Sequence, residues 1–117
     1  MRAYERLLNY VSIHTTSNEN ADTVPSTEGQ FVLARQLMKE MRDLGVSDTR
    51  VDENAYVYGT IPASPGFEDS PCLGFIAHID TAPDASGENV KPQILENYDG
   101  SDIVPFDLMN WRTPSAF

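Results

Sequence analysis

The sequence predicts an α/β fold in which helices pack on a mixed β-sheet. Three patterns support this prediction: two amphipathic helical segments, two β-favouring runs at hairpin spacing, and one nearly unbroken apolar run typical of a central strand. A chain of 117 residues, of which 40% are hydrophobic, is long enough to enclose the core of one small domain. We therefore expect a single structural unit.

Two segments show helical periodicity. Between residues 2 and 11 the apolar side chains recur every three or four positions, which places them on one face of a short helix. A longer helix is predicted to begin after Pro25, where Ser26 and Thr27 offer capping hydroxyls, and to close at Gly45. Its predicted buried stripe consists of Phe31, Ala34, Leu37, Met38, Met41 and Leu44.

The β-structure is predicted in three runs. Residues 49–52 and 56–61 are rich in β-favouring side chains, and the three residues between them suit a hairpin turn. The apolar run at residues 72–77 is predicted to be a central strand that is covered on both faces. Residues 62–71 contain three prolines and are expected to form an exposed connection.

Composition argues against several classes of function. The formal net charge of −10 would repel phosphate backbones and anionic lipid, so neither nucleic acid nor a membrane surface is an expected partner. No apolar stretch approaches the length needed to cross a bilayer, and the N-terminus lacks the apolar segment of a secretory signal. With Cys72 as the single cysteine, we expect a cytoplasmic protein without an internal disulfide.

The strongest candidate for chemistry is the pair His78 and Asp80 at the carboxyl end of the apolar run. Ligands bind at this edge of open α/β sheets. Side chains two residues apart leave an extended chain on the same face, so Asp80 is placed to orient the imidazole of a metal-binding His78. From spacing alone, a structural histidine followed by a turn-forming aspartate is the more common interpretation.

Other polar and reactive residues have simpler interpretations. His14 is expected to be a loop histidine without a catalytic role, although Ser12 and Ser17 lie nearby in sequence. Cys72 is expected to be a small buried side chain. Five carboxylates are predicted to form a solvated acidic face because they lack the spacing of a helix-loop-helix calcium site; they are Asp84, Glu88, Glu96, Asp99 and Asp102.

Four stretches of the chain resemble the M20 family of zinc exopeptidases, and within it the tripeptide aminopeptidases. They read LNYVS at residues 8–12, VPSTEGQ at 24–30, GFIAHIDTAPD at 74–84 and SGENVKPQILENYDG at 86–100. Together they follow the family's order and spacing over residues 4–104. The resemblance implies that residues 1–104 are the N-terminal part of a zinc-peptidase catalytic domain, followed by a divergent tail at residues 105–117.

The resemblance also implies the chemistry. His78 matches the family's first zinc ligand, and Asp80 matches the active-site aspartate that orients this histidine. The family uses two zinc ions that share a bridging water to release the N-terminal residue from tripeptides. Tripeptides are therefore the expected substrates and zinc is the expected cofactor.

The family's remaining ligands and its glutamate base have no counterpart in this sequence. Catalytic zinc sites normally use three protein ligands, so we expect that the 117-residue chain alone has no peptidase activity. The alternative is a non-catalytic remnant, or a fragment of the same fold that binds a partner.

Overall fold

Two helices and one β-hairpin form the regular structure of residues 1–101. The computed structural model describes residues 1–101, so the predicted divergent tail at 105–117 lies outside the described residues, as does Asp102. The elements follow in the order α1 (Ala3–Tyr10), α2 (Glu28–Asp43), β1 (Ser47–Val51) and β2 (Val57–Thr60). The described part is thus a small α/β structure, as the sequence predicts.

Helix α2 begins and ends near the predicted positions. Gly45 follows it with a φ of +83°, the left-handed conformation that glycine adopts without steric cost. The predicted hydroxyl cap is wrong: Thr27 is the N-cap residue, but its side chain makes no capping bond. Its hydroxyl instead donates to the backbone oxygen of Thr16, 3.0 Å away. The hydroxyl therefore fixes a neighbouring loop and does not satisfy the helix terminus.

The small core lies where α2 packs against the hairpin. Leu33, Ala34 and Ala55 are the buried apolar residues of the described chain. A Cβ atom on Gly59 of β2 would lie 2.6 Å from Val46 Cγ1, which shows how closely the hairpin packs. The predicted stripe is correct at Ala34 and half-buried at Phe31, Leu37, Met38 and Met41. It is wrong at Leu44, which is 65% exposed and is the C-cap residue that follows the last turn of α2.

Helix α1 is joined to α2 by polar contacts. The side chain of Glu40 accepts hydrogen bonds from Arg6 Nη1 at 2.6 Å and from the Tyr10 hydroxyl at 2.5 Å. Its second oxygen accepts from Gln36 Nε2 at 3.1 Å. The Tyr10 hydroxyl, together with these other donors, holds the pKa of Glu40 below its ordinary value. Glu40 and Arg6 therefore link the two helices.

Strands β1 and β2 pair antiparallel, with Arg50 opposite Tyr58 and Val51 opposite Val57. The turn between them is stabilised by Asp52, whose Oδ1 accepts the backbone N–H groups of Asn54 and Tyr56 at 3.0 and 2.9 Å. The predicted hairpin is thus confirmed.

The predicted central strand at residues 72–77 is wrong, and so is the prediction of a mixed sheet within residues 1–101. The run has no regular secondary structure and is exposed, with Phe75 at 90% and Ile76 fully accessible to solvent. The physical reason is the lack of a neighbouring strand, because β1 and β2 pair only with each other. An apolar pattern predicts burial, but a central strand forms only where strands on both sides accept its backbone hydrogen bonds.

Candidate metal centre

The segment that carries His78 and Asp80 is held against the loop before α2. We call residues 14–18 the bridging loop. Thr16 in this loop forms an isolated parallel β-bridge with Thr81. The N–H of Ser17 donates to the backbone oxygen of Thr81 at 3.0 Å, and the N–H of Thr81 donates to that of Thr15 at 3.4 Å. This bridge brings Asp80 beside residues that are more than sixty positions away in sequence.

The bridging loop is in turn fixed to the first turn of α2. The N–H of Asn18 donates to Ser26 Oγ at 3.1 Å, in addition to the bond between Thr27 and Thr16 described above. The His14 backbone oxygen approaches Gly29 so closely that a Cβ atom there would lie 1.7 Å from it. Only glycine allows this approach, so the position of the bridging loop depends on Gly29.

Within the candidate site, His78 and Asp80 contact each other directly. His78 Nδ1 lies 3.1 Å from Asp80 Oδ1, a hydrogen-bonding distance. The His78 side chain is 84% exposed, and its Nε2 atom makes no hydrogen bond with any other side chain or backbone group of residues 1–101. A histidine that is supported at Nδ1 by a carboxylate and is open at Nε2 has the arrangement commonly found for metal-binding histidines.

The second oxygen of Asp80 accepts a hydrogen bond from the Ser17 hydroxyl. This bond and the contact with His78 lower the pKa of Asp80 below the ordinary value of aspartate, although partial burial acts in the opposite direction. Asp80 is therefore an ionised carboxylate at neutral pH, and both of its oxygens accept hydrogen bonds. A neighbouring carboxylate of this kind makes the imidazole a stronger ligand.

Sequence reasoning did not find the role of Ser17. The polar stretch from residue 12 to residue 24 has no periodicity, and no local spacing relates Ser17 to an aspartate 63 residues later. Ser17 lies near His14 in sequence, but its hydroxyl donates to Asp80. His14 is exposed, and its ring lies near Gly87, where an added Cβ would be 3.6 Å from His14 Cδ2.

The remaining candidates lie apart from this pair. Cys72 is exposed, which corrects its expected burial and follows from the missing strand around it. The described carboxylates of the acidic face, Asp84, Glu88, Glu96 and Asp99, are exposed as predicted. Among residues 1–101 no three or more histidine, cysteine or carboxylate side chains converge on one point in a way that could hold a metal ion. The described part of the chain thus contributes a pair of residues, not a full ligand set.

The chain is similar to several curated proteins over most of its length. It is 55% identical over 103 residues to a protein of Caldanaerobacter subterraneus, which corresponds to 88% of this chain and 25% of the relative. It is also 55% identical over 113 residues to a protein of Aliivibrio fischeri, and 50% identical over 100 residues to one of Geobacillus. Those matches cover 97% and 86% of this chain, and 27% and 24% of the relatives.

All three of these relatives are named peptidase T, and the chain is homologous to peptidase T over most of its length. It spans about a quarter of the length of these curated relatives. No protein-family profile matches the sequence. In the described residues, neither helix is long and apolar enough to cross a membrane.

Proposed function

We propose that this chain is the N-terminal part of a zinc-dependent aminopeptidase that releases the N-terminal residue from tripeptides. The observation that carries the proposal is the direct contact between His78 and Asp80 in a chain homologous to peptidase T. The zinc-exopeptidase catalytic fold belongs to this proposal, and it is supported by the small α/β unit of residues 1–101 and by the similarity to peptidase T. We also place the protein in the cytoplasm, since its free thiol at Cys72 is exposed and suits a reducing compartment.

His78 would hold zinc through Nε2, and Asp80 would fix the ring through Nδ1. The fit rests on the donor set: a neutral imidazole with one open nitrogen is a usual zinc ligand, and the carboxylate at the other nitrogen sets its tautomer. Zinc, when bound, supplies a Lewis acid that lowers the pKa of a water molecule and polarises a carbonyl group. The task of Asp80 is to keep the open nitrogen of His78 directed toward the metal.

The same proposal holds that the 117-residue chain alone does not hydrolyse peptides. A catalytic zinc site normally needs three protein ligands, and His78 is the one ligand that the family resemblance assigns here. The remaining ligands and the general base would lie in the three-quarters of the relatives' length that this chain does not span. Tripeptide hydrolysis is thus proposed for the complete protein.

A second candidate is a non-catalytic fragment of the same fold that binds a partner. It is favoured by the exposure of Leu73, Phe75 and Ile76, which are 75%, 90% and 102% accessible. Contiguous apolar side chains on a surface mark interaction sites or aggregation-prone segments. This candidate does not need His78 to bind metal.

A chimeric enzyme separates the two candidates. The segment of the Caldanaerobacter relative that matches this chain is replaced by the corresponding residues of this chain, and release of the N-terminal residue from a tripeptide is measured. We expect the chimera to be active, His78→Ala in it to abolish activity, and His14→Ala to leave activity unchanged. His14 is the matched control because it is the other histidine of the sequence.

Zinc calorimetry on the 117-residue chain completes the test. We expect weak binding that His78→Ala removes and His14→Ala retains. A folded but inactive chimera would favour the non-catalytic fragment. Tight zinc binding with tripeptide hydrolysis by the isolated chain would refute the claim of an incomplete site.

A further inference from the structure

The two oxygens of Asp80 have different neighbours. Oδ1 contacts His78 Nδ1 at 3.1 Å, and Oδ2 accepts the hydrogen bond from the Ser17 hydroxyl. A carboxylate held at one oxygen still rotates about its terminal side-chain torsion, which is broad and roughly two-fold. A donor at the second oxygen removes this freedom. Ser17 is the side chain that supplies such a donor in the described structure.

Ser17 is itself held in place by backbone bonds that do not involve its hydroxyl. Its N–H donates to the Thr81 oxygen at 3.0 Å, and the bridging loop is fixed to α2 by the Thr27 hydroxyl at 3.0 Å from the Thr16 oxygen. The hydroxyl of Ser17 is thus presented to Asp80 from a loop whose position is set by a helix. Ser17 is half-buried, whereas His78 is exposed.

From this geometry we propose that Ser17 is a positioning residue that fixes the orientation and tautomer of His78 through Asp80. The inference rests on the proposed function, because the orientation of His78 matters only if this ring binds a ligand. Ser17 does not contact His78 and has no catalytic task of its own. A neutral hydroxyl suits the role, since it fixes the carboxylate without removing the negative charge that the imidazole needs.

The proposal predicts a hierarchy among variants of Ser17. Ser17→Ala removes the hydroxyl, so His78 becomes the one remaining side-chain partner of Asp80 in the described residues. Ser17→Thr keeps a hydroxyl donor and should restore the arrangement. Ser12→Ala is the matched control, because the Ser12 hydroxyl donates to the backbone oxygen of Asn9 and does not reach the site.

Nitrogen-15 NMR of the imidazole rings tests this directly on the 117-residue chain. Only two histidines contribute signals, and His14→Gln assigns them. In buffer near pH 8, where free imidazole is neutral, we expect the His78 signals of the unaltered chain to show predominantly the tautomer protonated at Nδ1. Ser17→Ala should shift them toward those of free histidine, while Ser17→Thr and Ser12→Ala should leave them unchanged.

The backbone amide spectrum shows whether each variant is folded. If Ser17 had only a structural role, Ser17→Ala would change that spectrum without changing the tautomer of His78. If Ser17→Ala unfolds the chain, Ser17→Cys replaces it, because a thiol is a weaker donor and should give a smaller shift in the same direction. Unchanged His78 signals in a folded Ser17→Ala or Ser17→Cys variant would overturn the proposal.

Zinc calorimetry on the same variants separates this inference from the proposed function. We expect Ser17→Ala to weaken zinc affinity less than the roughly tenfold loss that follows removal of a residue bonded directly to a metal ligand, because Ser17 acts through Asp80. A tautomer change that depends on Ser17, found together with a chimera whose tripeptide hydrolysis survives His78→Ala, would support Ser17 as a positioning residue and reject the zinc site. Zinc binding that depends on His78 but not on Ser17 would support the zinc site and overturn the role of Ser17.

Discussion

Replacing Gly29 by alanine tests whether the bridging loop packs directly on the first turn of α2. A Cβ atom at this position would lie 1.7 Å from the His14 backbone oxygen and 2.9 Å from its carbonyl carbon. Carbon and oxygen atoms come no closer than about 3.3 Å in ordinary contacts, so the loop would have to retreat by roughly 1.5 Å. A shift of this size breaks the hydrogen bonds that hold the loop to α2.

The expected loss of stability is the difference between two opposing effects. The bonds from Thr27 to Thr16 and from Asn18 to Ser26 contribute about 1 kcal/mol each, and the packing around the buried Thr15 is lost with them. Alanine favours the helix over glycine by about 1 kcal/mol at most. We therefore expect Gly29→Ala to reduce the free energy of unfolding by about 1–2 kcal/mol.

Thermal and urea unfolding followed by circular dichroism measure this effect. A loss of 1 kcal/mol lowers the melting temperature of a small domain by about 4–8 °C. Gly74→Ala is the matched control, because no atom lies within 4 Å of a Cβ added there, and we expect a change within about 0.5 kcal/mol. A Gly29→Ala variant as stable as the unaltered chain, or more stable, would refute the packing of the loop on α2.

Three further changes probe other parts of the structure. The lowered pKa of Glu40 means that this side chain stabilises the fold above the ordinary pKa of glutamate, about 4.3, and that the stabilisation is lost as the pH falls through the lowered value. Urea unfolding between pH 3 and pH 7 should therefore depend less on pH in Glu40→Gln. Asp52→Ala should speed hydrogen exchange of the two amides in the hairpin turn, measured by NMR. Changing both Phe75 and Ile76 to serine should reduce self-association in sedimentation experiments without lowering stability.

Each of these predictions has a matched comparison. Glu19→Gln removes one negative charge from an exposed loop and controls for the change in net charge. Asp69→Ala should leave the hairpin amides unaffected, and equal exchange in Asp52→Ala would contradict the role of that carboxylate. Changing Ile94 and Leu95 to serine controls for general loss of apolar surface, and an equal effect of both double variants would show that residues 72–77 have no special role.

Local signals in the sequence predicted the elements that depend on local interactions. Periodicity placed both helices, Gly45 marked the end of α2, and β-favouring runs with a short turn placed the hairpin. These features arise from contacts between residues close in sequence. They are therefore encoded within short windows of the chain.

Features that depend on distant partners were predicted less well. The run at residues 72–77 has the composition of a buried strand, but burial requires neighbouring strands that the described chain does not supply. The hydroxyls of Thr27 and Ser17 bond to the bridging loop and to Asp80, not to their local surroundings. The contact of His78 with Asp80 was foreseen because the two residues are close in sequence, whereas their link to Ser17 was not.

The β-bridge between Thr16 and Thr81 also has a consequence for the order of folding. It closes a chain segment of 65 residues that contains both α2 and the hairpin. The entropy cost of closure rises slowly with the length of flexible chain, so the bridge forms at a lower entropy cost once the enclosed elements have formed and shortened that path. Asp80 should reach Ser17 late in folding and leave it early in local opening. Ligand binding at this bridge would then stabilise the contact between the two ends of the segment and oppose local opening of the fold.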